Sequence, residues 1–411
     1  MTLSKKVWIL RIILVLLPVL AGAFLVLCML LVGTVKSPKN YDDLRKYDKE
    51  RRVSVYKAGE LSDEDFKSPA GTKTIVFAGD VMMGDRMEEP LAKNGMNYPF
   101  EATAPILRNA DLAVANLECP IAVEAEKREA TGYFYKVPPQ TLAGMAWAGF
   151  RIVSLANNHI RDCGDQGIFE TLKYLDEAGI RHFGAGINLR QAKRFEVMDL
   201  GGLTVAFVGI MSPEVYLHDG KELNPEIFDR RKRKIVKDLA ATETRPGTVI
   251  VNKADEVRDL VRQAKGQADL VVVYAHWGIR YGRPVFDLQE EFAHAAIEAG
   301  ADLVVGSHAH FWQGVEVYKN KAIVYGLGNF AFGSQNWAAD EALLVRAIIK
   351  DKKIRTVELY PVYSMNRKVN YQSKVMKGES AKDALNRLSH ESAQLGTKIK
   401  IEKYKAVVNL K

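Results

Sequence analysis

Five short segments of the sequence place side chains that can bind metals directly after an apolar run. Each run predicts a buried strand, and ligands collect outside the carboxyl ends of strands in open α/β sheets. If these strands are neighbours, their polar ends converge on one pocket. Mixed carboxylate, amide and imidazole donors suit manganese, iron or zinc better than magnesium. The five segments are residues 77–80 (FAGD), 115–118 (ANLE), 155–159 (LANNH), 274–277 (YAHW) and 306–310 (GSHAH).

A simpler structural role is open to each of these residues taken alone. Asp80 could form a turn, Asn157 and Asn158 could cap one, and His276 could be a hydrogen-bonded core histidine. The metal site is the stronger interpretation, because the structural alternative requires five separate coincidences. The other histidines lack this context, and surface or structural roles are expected for them: His182, His218, His294 and His390.

The elements that must position these residues alternate along the chain as short apolar strands and amphipathic helices. This alternation predicts a layered α/β domain. A basic run at 230–234 interrupts it and is typical of a solvated helix face or loop. The predicted organisation is a cytoplasmic N-terminus (1–11), a transmembrane anchor (12–35), a polar stalk (36–73), the globular domain (74–363) and a C-terminal extension (364–411).

The N-terminal segment 12–35 holds no charged residue over 24 positions, enough to span a bilayer as a helix. Basic residues before it favour a cytoplasmic N-terminus and an external C-terminal domain, although the basic stretch 36–52 opposes this orientation. A cleaved signal peptide, with Ala21-Gly22-Ala23 as its small-residue site, is the alternative. We expect a retained single-pass anchor, because the apolar run continues beyond that site.

The charge of the chain is concentrated near its N-terminus. The formal net charge is +8, but residues 1–35 contribute +3 and residues 36–52 contribute seven basic against four acidic residues. Residues 53–411 therefore sum to 8 − 3 − 3 = +2, and this balance argues against a nucleic-acid partner. Three cysteines are too few for a disulfide framework.

Seven motifs in sequence order resemble the bacterial capsule biosynthesis CapA family, which acts in poly-γ-glutamate synthesis. The resemblance covers roughly Thr74 to Tyr363 and extends to the N-terminal anchor. It implies a capsule component whose partners are the anionic polymer and small integral-membrane subunits of the synthase. The motifs are GDVMMG (79–84), NLECP (116–120), ANNHIRDCG (156–164), GAG (184–186), HWG (276–278), GSHAH (306–310) and GNF (328–330).

That family is similar in turn to the calcineurin-like metallophosphoesterases. This likeness implies a four-layer α/β/β/α sandwich with a centre for one or two divalent ions. By position, Asp80 and His310 would bind the first metal, and Glu118 would bridge to the second. His159, with Asp162 in the same motif, would lie near the leaving group as a general acid or an electrostatic clamp. The implied metal ligands are Asp80, Glu118, Asn158, His276, His308 and His310.

Several positions depart from the phosphoesterase pattern or point to a substrate. Met82 stands where those enzymes have a histidine, and a thioether is a poor ligand for hard cations. Arg280 stands where the capsule family often has a glutamate, and its guanidinium favours a carboxylate or phosphate. Lys136 is a second candidate for anion contact, with an exposed strand lysine as the equal alternative. Asn329, in the GNF motif, is a further candidate for substrate contact.

Three functions follow from these observations. The first is a membrane-anchored, extracytoplasmic component of poly-γ-glutamate capsule synthesis and export. The second is a metal-dependent hydrolase of a phosphoester or of the amide bonds of the polymer. The third is a catalytically degenerate docking module for small membrane partners, in which small residues of the anchor helix would make the contact.

Overall fold

The computed structural model describes residues 63–127, 134–213, 237–333, 341–364 and 369–411. Within these ranges the chain has the predicted mixed α/β fold, rich in sheet. The predicted anchor (12–35), residues 36–62 of the predicted stalk and the basic run at 230–234 lie outside the described residues. No helix within the described ranges has the length and hydropathy needed to cross a membrane.

The strands and helices are numbered in chain order over the described residues. The strands are β1 (Lys73–Met82), β2 (Leu112–Leu117), β3 (Phe150–Ser154), β4 (Arg181–Phe183), β5 (Ala185–Gly186), β6 (Glu196–Asp199), β7 (Thr204–Met211), β8 (Gly247–Thr248), β9 (Leu270–His276), β10 (Leu303–Ser307), β11 (Val315–Tyr318), β12 (Lys321–Val324), β13 (Asn329–Phe332), β14 (Glu341–Lys350), β15 (Lys353–Tyr363), β16 (Lys374–Val375), β17 (Lys400–Glu402) and β18 (Lys405–Asn409). The helices are α1 (Glu88–Asn94), α2 (Ala104–Arg108), α3 (Thr141–Ala148), α4 (Gly164–Glu177), α5 (Leu189–Ala192), α6 (Ala254–Lys265), α7 (Asp287–Ala299) and α8 (Gly378–Gln394). Single 3-10 turns lie at Asp63–Phe66 and Asp85–Met87.

Two large sheets dominate the part of the chain that the structure describes. The larger has the order β17-β18-β15-β14-β1-β2-β3-β4, with β13 paired to β1 and β16 paired to β15. The smaller has the order β11-β12-β10-β9-β7-β6. In each sheet the central strands run parallel: β1 to β4 in the larger, and β7, β9, β10 and β12 in the smaller. Parallel strands end at a common edge, so residues at their carboxyl ends become neighbours.

The hydrophobic core lies between the two sheets and on the outer face of each. Alternate residues of β1 and β9, such as Phe77 and Val272, belong to the buried cluster that contains residues of both sheets. The intervening residues, such as Val76 and Val273, pack with the outer helices instead. Helices α3 and α4 cover the larger sheet, and α6 and α7 cover the smaller. Strands buried on both faces explain the nearly continuous apolar runs in the sequence.

The segment predicted as a C-terminal extension contributes to the larger sheet where it is described. Strand β18 pairs antiparallel with β15, and β17 pairs with β18. Ala406 and Val408 on β18 join the core between the sheets. The strands β16, β17 and β18 are therefore part of the larger sheet. Their lysine-rich alternation of polar and apolar residues is typical of strands at a sheet edge.

A close backbone approach at the end of β1 depends on glycine. A Cβ atom at Gly79 would lie 1.8 Å from the carbonyl oxygen of Gly328. The same carbonyl accepts a hydrogen bond of 3.0 Å from the Asp80 amide. Gly306 is similar, because its Cβ would lie 2.0 Å from the Tyr325 carbonyl oxygen. Each glycine lies just before residues that are predicted to bind metal.

We expect Gly79→Ala to lower the free energy of unfolding by about 2 kcal/mol or more, because the methyl group overlaps a hydrogen-bonded carbonyl in a packed core. Gly266→Ala is the matched control, since Gly266 has φ −70° and the nearest neighbour of its Cβ would be 3.7 Å away. The control should change stability by less than about 1 kcal/mol. Urea unfolding of both variants measures the difference, and equal effects would contradict the close approach.

Candidate metal centre

The ends of strands from both sheets meet at one buried site. Asp80 lies near the end of β1, and Glu118 follows the last residue of β2. His276 is the last residue of β9, while His308 and His310 follow β10. The side chains of all five are buried. The structure thus brings together residues that are up to 230 positions apart in the sequence (80 to 310).

Two groups of potential metal ligands share one carboxylate. Asp80, Glu118 and His310 form one group, and Glu118, His276 and His308 form the other. Within each group, one ligand atom from each residue lies within 4.8 Å of the others. Two cations held in this way would both contact Glu118, the residue that the family resemblance places in the bridging position.

The surroundings of Glu118 indicate that a cation fits the site. Both of its carboxylate oxygens are buried, and neither has a hydrogen-bond partner among the described residues. A buried carboxylate without donors is costly unless it is protonated or bound to a metal. His276 Nε2 and His159 Nε2 are the nearest ring nitrogens, at 3.7 and 3.9 Å from Oε1. These distances leave space for an ion rather than a direct hydrogen bond.

Asn158 completes the second group. Its Oδ1 lies 2.6 Å from His276 Nε2, and the same nitrogen lies 3.0 Å from His308 Nδ1. His276 Nε2 thus faces both an amide oxygen and a second imidazole nitrogen. A cation bound by all three atoms would account for this arrangement. The structure places the Asn158 side chain against His276, and its role as a metal ligand stays a prediction.

Three further polar residues hold the ligands in position, and the sequence analysis did not assign them a role in the site. Asn116 donates a hydrogen bond of 2.8 Å to Asp80 Oδ1 and accepts one of 3.0 Å from Asn157. Ser307 Oγ lies 2.9 Å from His276 Nδ1 and fixes that ring from the other side. Each of these residues lies within two positions of a predicted ligand in sequence, and this proximity is the signal that could have identified them. Such partners orient ligands and raise metal affinity.

His159 and Asp162 form a hydrogen-bonded pair at the edge of the site. His159 Nδ1 lies 2.7 Å from Asp162 Oδ2, which also accepts a hydrogen bond of 2.8 Å from the Tyr135 amide. The Tyr135 ring packs on the imidazole, with centroids 4.5 Å apart. The His159 side chain is 15% exposed, whereas that of His276 is 1% exposed, so His159 is the more accessible to a substrate.

Burial shifts the pKa values of four candidate ligands and disfavours the charged form of each. Burial raises the pKa of Asp80 to about 6, although the hydrogen bond from Asn116 lowers it. Burial, followed by the nearby charge of Asp80, raises the pKa of Glu118 well above its usual range. Burial also lowers the pKa of His310 to about 4 and that of His276 well below its ordinary value. Both imidazoles are thus neutral at neutral pH, the form that binds metals.

The histidines that follow β10 have unusual backbone conformations. His308 has φ 89° and His310 has φ 60°, values in the left-handed region that favours glycine. Tyr281 has φ 63°, and its ring packs 5.1 Å from that of His310. Such conformations cost about 1–3 kcal/mol each and cluster at functional sites. The loop therefore maintains strained residues in order to direct both rings into the site.

The three residues predicted to contact a substrate lie at different positions relative to the candidate metal centre. The Arg280 guanidinium lies close enough to the centre to lower the pKa of both Glu118 and His310. Asn329 Oδ1 lies 2.8 Å from His310 Nδ1, so it orients a metal ligand. Lys136 Nζ donates a hydrogen bond of 2.8 Å to the Val123 carbonyl oxygen. Lys136 lies outside the strands of the structure, and its role as an anion contact stays a prediction.

The Met82 sulfur accepts a hydrogen bond of 3.2 Å from the Gly84 amide. The group of Asp80, Glu118 and His310 contains one imidazole. That the thioether is a poor replacement for the histidine of the phosphoesterases stays a prediction.

Comparisons with known proteins agree with the resemblance noted in the sequence. Residues 74–334 match the family described as "Bacterial capsule synthesis protein PGA_cap". The chain is 31% identical over 296 residues to "Capsule biosynthesis protein CapA" of Bacillus anthracis, covering 70% of this chain and 67% of that protein. It is 29% identical over 289 residues to "PGA biosynthesis protein CapA" of Bacillus subtilis (strain 168), covering 70% of each. A 5'-nucleotidase structure from Candida albicans SC5314 aligns at 11% identity over 69% of this chain and 48% of that one, with a TM-score of 0.36, too low to support an argument.

Manganese should raise the melting temperature of the purified chain much more at about pH 7.5 than at about pH 5. The pKa of Asp80 is raised from 3.8 to about 6, so the metal-free fold loses stability as the pH rises from about 4 through about 6. A bound cation removes this loss at the higher pH, whereas protons compete for the same oxygens at the lower pH. Thermal unfolding with and without manganese measures the effect.

Glu118→Gln should abolish the manganese-dependent shift, because it removes the carboxylate common to both groups. His182→Gln is the control, since His182 pairs with the exposed Asp176 and belongs to neither group. A shift of equal size at both pH values, or one that survives Glu118→Gln, would show that manganese binds elsewhere.

Proposed function

The chain belongs to the bacterial capsule synthesis protein family PGA_cap, and we propose from this membership that it works in making and exporting a poly-γ-glutamate capsule. It would do so as a membrane-anchored component whose main domain is extracytoplasmic. The observation that carries the proposal is that the residues of the family match, 74–334, contain the whole buried ligand cluster. The finer fold assignment, a metallophosphoesterase-like four-layer sandwich, belongs to the same proposal.

The metal centre would act on the polymer through charge. Asp80, Glu118, Asn158, His276, His308 and His310 would hold one or two divalent ions, of which manganese, iron and zinc suit the donors best. Arg280, near Glu118 and His310, would hold a carboxylate of the emerging polymer. Small integral-membrane subunits of the synthase would contact the predicted anchor, residues 12–35.

Deleting the gene from its host should abolish polyglutamate at the cell surface, and a plasmid copy of the wild type should restore it. A Glu118→Gln copy should restore less than about a tenth of the wild-type amount, because loss of a metal-site interaction typically costs 10- to 100-fold. A His182→Gln copy should restore it fully. Surface polymer is measured as glutamate released by acid hydrolysis of washed capsule. A deletion strain with a normal capsule would refute the proposal.

The His159–Asp162 pair favours a second candidate, a metal-dependent hydrolase of a phosphoester or of the amide bonds of the polymer. Asp162 holds His159 through Nδ1, which leaves Nε2 directed toward Glu118 at 3.9 Å. A divalent cation held by the ligands would supply the charge that lowers the pKa of water toward neutrality. His159 would then give its Nε2 proton to the leaving group, as a general acid.

The chain supplied with manganese should hydrolyse a generic phosphodiester or a γ-glutamyl amide, and His159→Ala should lower kcat by about 100-fold or more. His182→Ala is the matched control and should retain full activity. Manganese content must be equal in all three proteins, so that lost activity is not lost metal. If the wild type is no faster than His159→Ala on either substrate, the domain is not this hydrolase.

A further inference from the structure

A second cavity lies at the opposite end of β2 from the candidate metal centre. Its volume is about 430 Å³, within the usual range for small-molecule sites. Its lining includes Leu112, where β2 begins, whereas Glu118 follows the end of that strand. A strand of this length spans roughly 20 Å, so the cavity and the metal centre are separate sites.

Two arginines line this cavity without a carboxylate partner in the described chain. Arg108, at the end of α2, has its guanidinium 5.3 Å from the centre of the Trp147 ring. Arg151 is the second residue of β3 and is exposed at the cavity wall. The indole holds one guanidinium by a cation–π contact, which leaves the hydrogen-bond donors at its edge available to a ligand.

The two aspartates in the lining accept hydrogen bonds from groups other than these arginines. Asp111 accepts hydrogen bonds of 2.9 Å from Lys73 Nζ and 2.8 Å from the Thr74 amide. Asp199 accepts one of 2.8 Å from the Gly202 amide. Lys73 adds a further positive charge beside Asp111. The available donors of the cavity are therefore cationic.

We propose that this cavity is a metal-independent binding site for neighbouring carboxylates of a γ-linked glutamate chain. Guanidinium groups bind carboxylates through paired hydrogen bonds, and two arginines can bind two carboxylates at once. Each unit of a γ-linked chain carries one free α-carboxylate beside its backbone, so successive units present successive anions. The identity of the polymer, a γ-linked glutamate chain, rests on the proposed function. The binding of a carboxylate or similar oxyanion rests on the cavity alone.

Binding of a γ-linked glutamate oligomer to the full chain in detergent tests this site. Isothermal titration calorimetry is run in excess EDTA, which removes the metal centre from the measurement. The double variant Arg108→Gln/Arg151→Gln should weaken binding about tenfold or more, as expected when charge-assisted hydrogen bonds are lost. The control Arg190→Gln/Lys398→Gln removes the same charge from exposed residues outside the cavity. It should change the Kd by less than about twofold, and all variants should keep the wild-type melting temperature.

Two results would overturn the site. Equally weakened binding of the oligomer in both double variants would show that binding depends only on the overall charge of the protein. Inorganic phosphate that binds the wild type as tightly as the oligomer, and is lost in the arginine variant, would assign the cavity to small anions instead. These results differ from failure of the proposed function, which the deletion strain reports. A strain without capsule, together with unaltered binding in the arginine variant, would remove this inference alone.

Discussion

The candidate metal centre is built around one buried carboxylate that makes no hydrogen bond within the described chain. Glu118 lies at the junction of the two sheets with both oxygens inaccessible and without a partner in the described chain. Leaving such a group ionised in a protein interior costs several kcal/mol. Without a cation, this cost raises the pKa of Glu118 and favours its protonated form. A divalent cation resolves the same problem with the carboxylate ionised. The fold therefore contains a buried carboxylate site that could hold a metal ion.

The two sheets are arranged to direct ligands toward this carboxylate. Backbone contacts at Gly79 and Gly306 bring the ends of β1 and β10 close to neighbouring strands. The left-handed conformations of His308 and His310 then turn both rings toward the same point. Around them, the amide of Asn116 holds Asp80. Close packing, left-handed backbone conformations and hydrogen bonds to the candidate ligands together fix the positions of these side chains, as is typical of a preorganised site.

Much of this site could be predicted from the sequence, because its ligands follow apolar runs that form parallel strands. The end of a strand is a local feature, and Asp80, His276 and His308 all occupy one. The supporting contacts of Asn116 and Ser307 are not local, since each reaches an atom on another strand. Their partners depend on strand order, which a single sequence does not specify.

Strand order and side-chain direction, which a single sequence does not specify, also account for two further features. The strands β17 and β18 are short and lie in a polar, lysine-rich part of the sequence, whose composition predicted an extension rather than part of the sheet. Lys136 lies beside Tyr135, which packs against His159, but alternation along an extended segment sends neighbouring side chains to opposite faces. Its amine therefore binds the Val123 carbonyl oxygen and not the centre.

The charge balance of the centre connects its ligands to the kind of substrate that it suits. With metal bound, Asp80 and Glu118 supply two negative charges, while the buried imidazoles are neutral. One divalent cation neutralises this pair, and a second leaves a surplus of two positive charges, to which Arg280 adds another. A centre with two cations would attract an anionic chain of glutamates, and the same charge would stabilise the anionic transition state of amide or phosphoester hydrolysis.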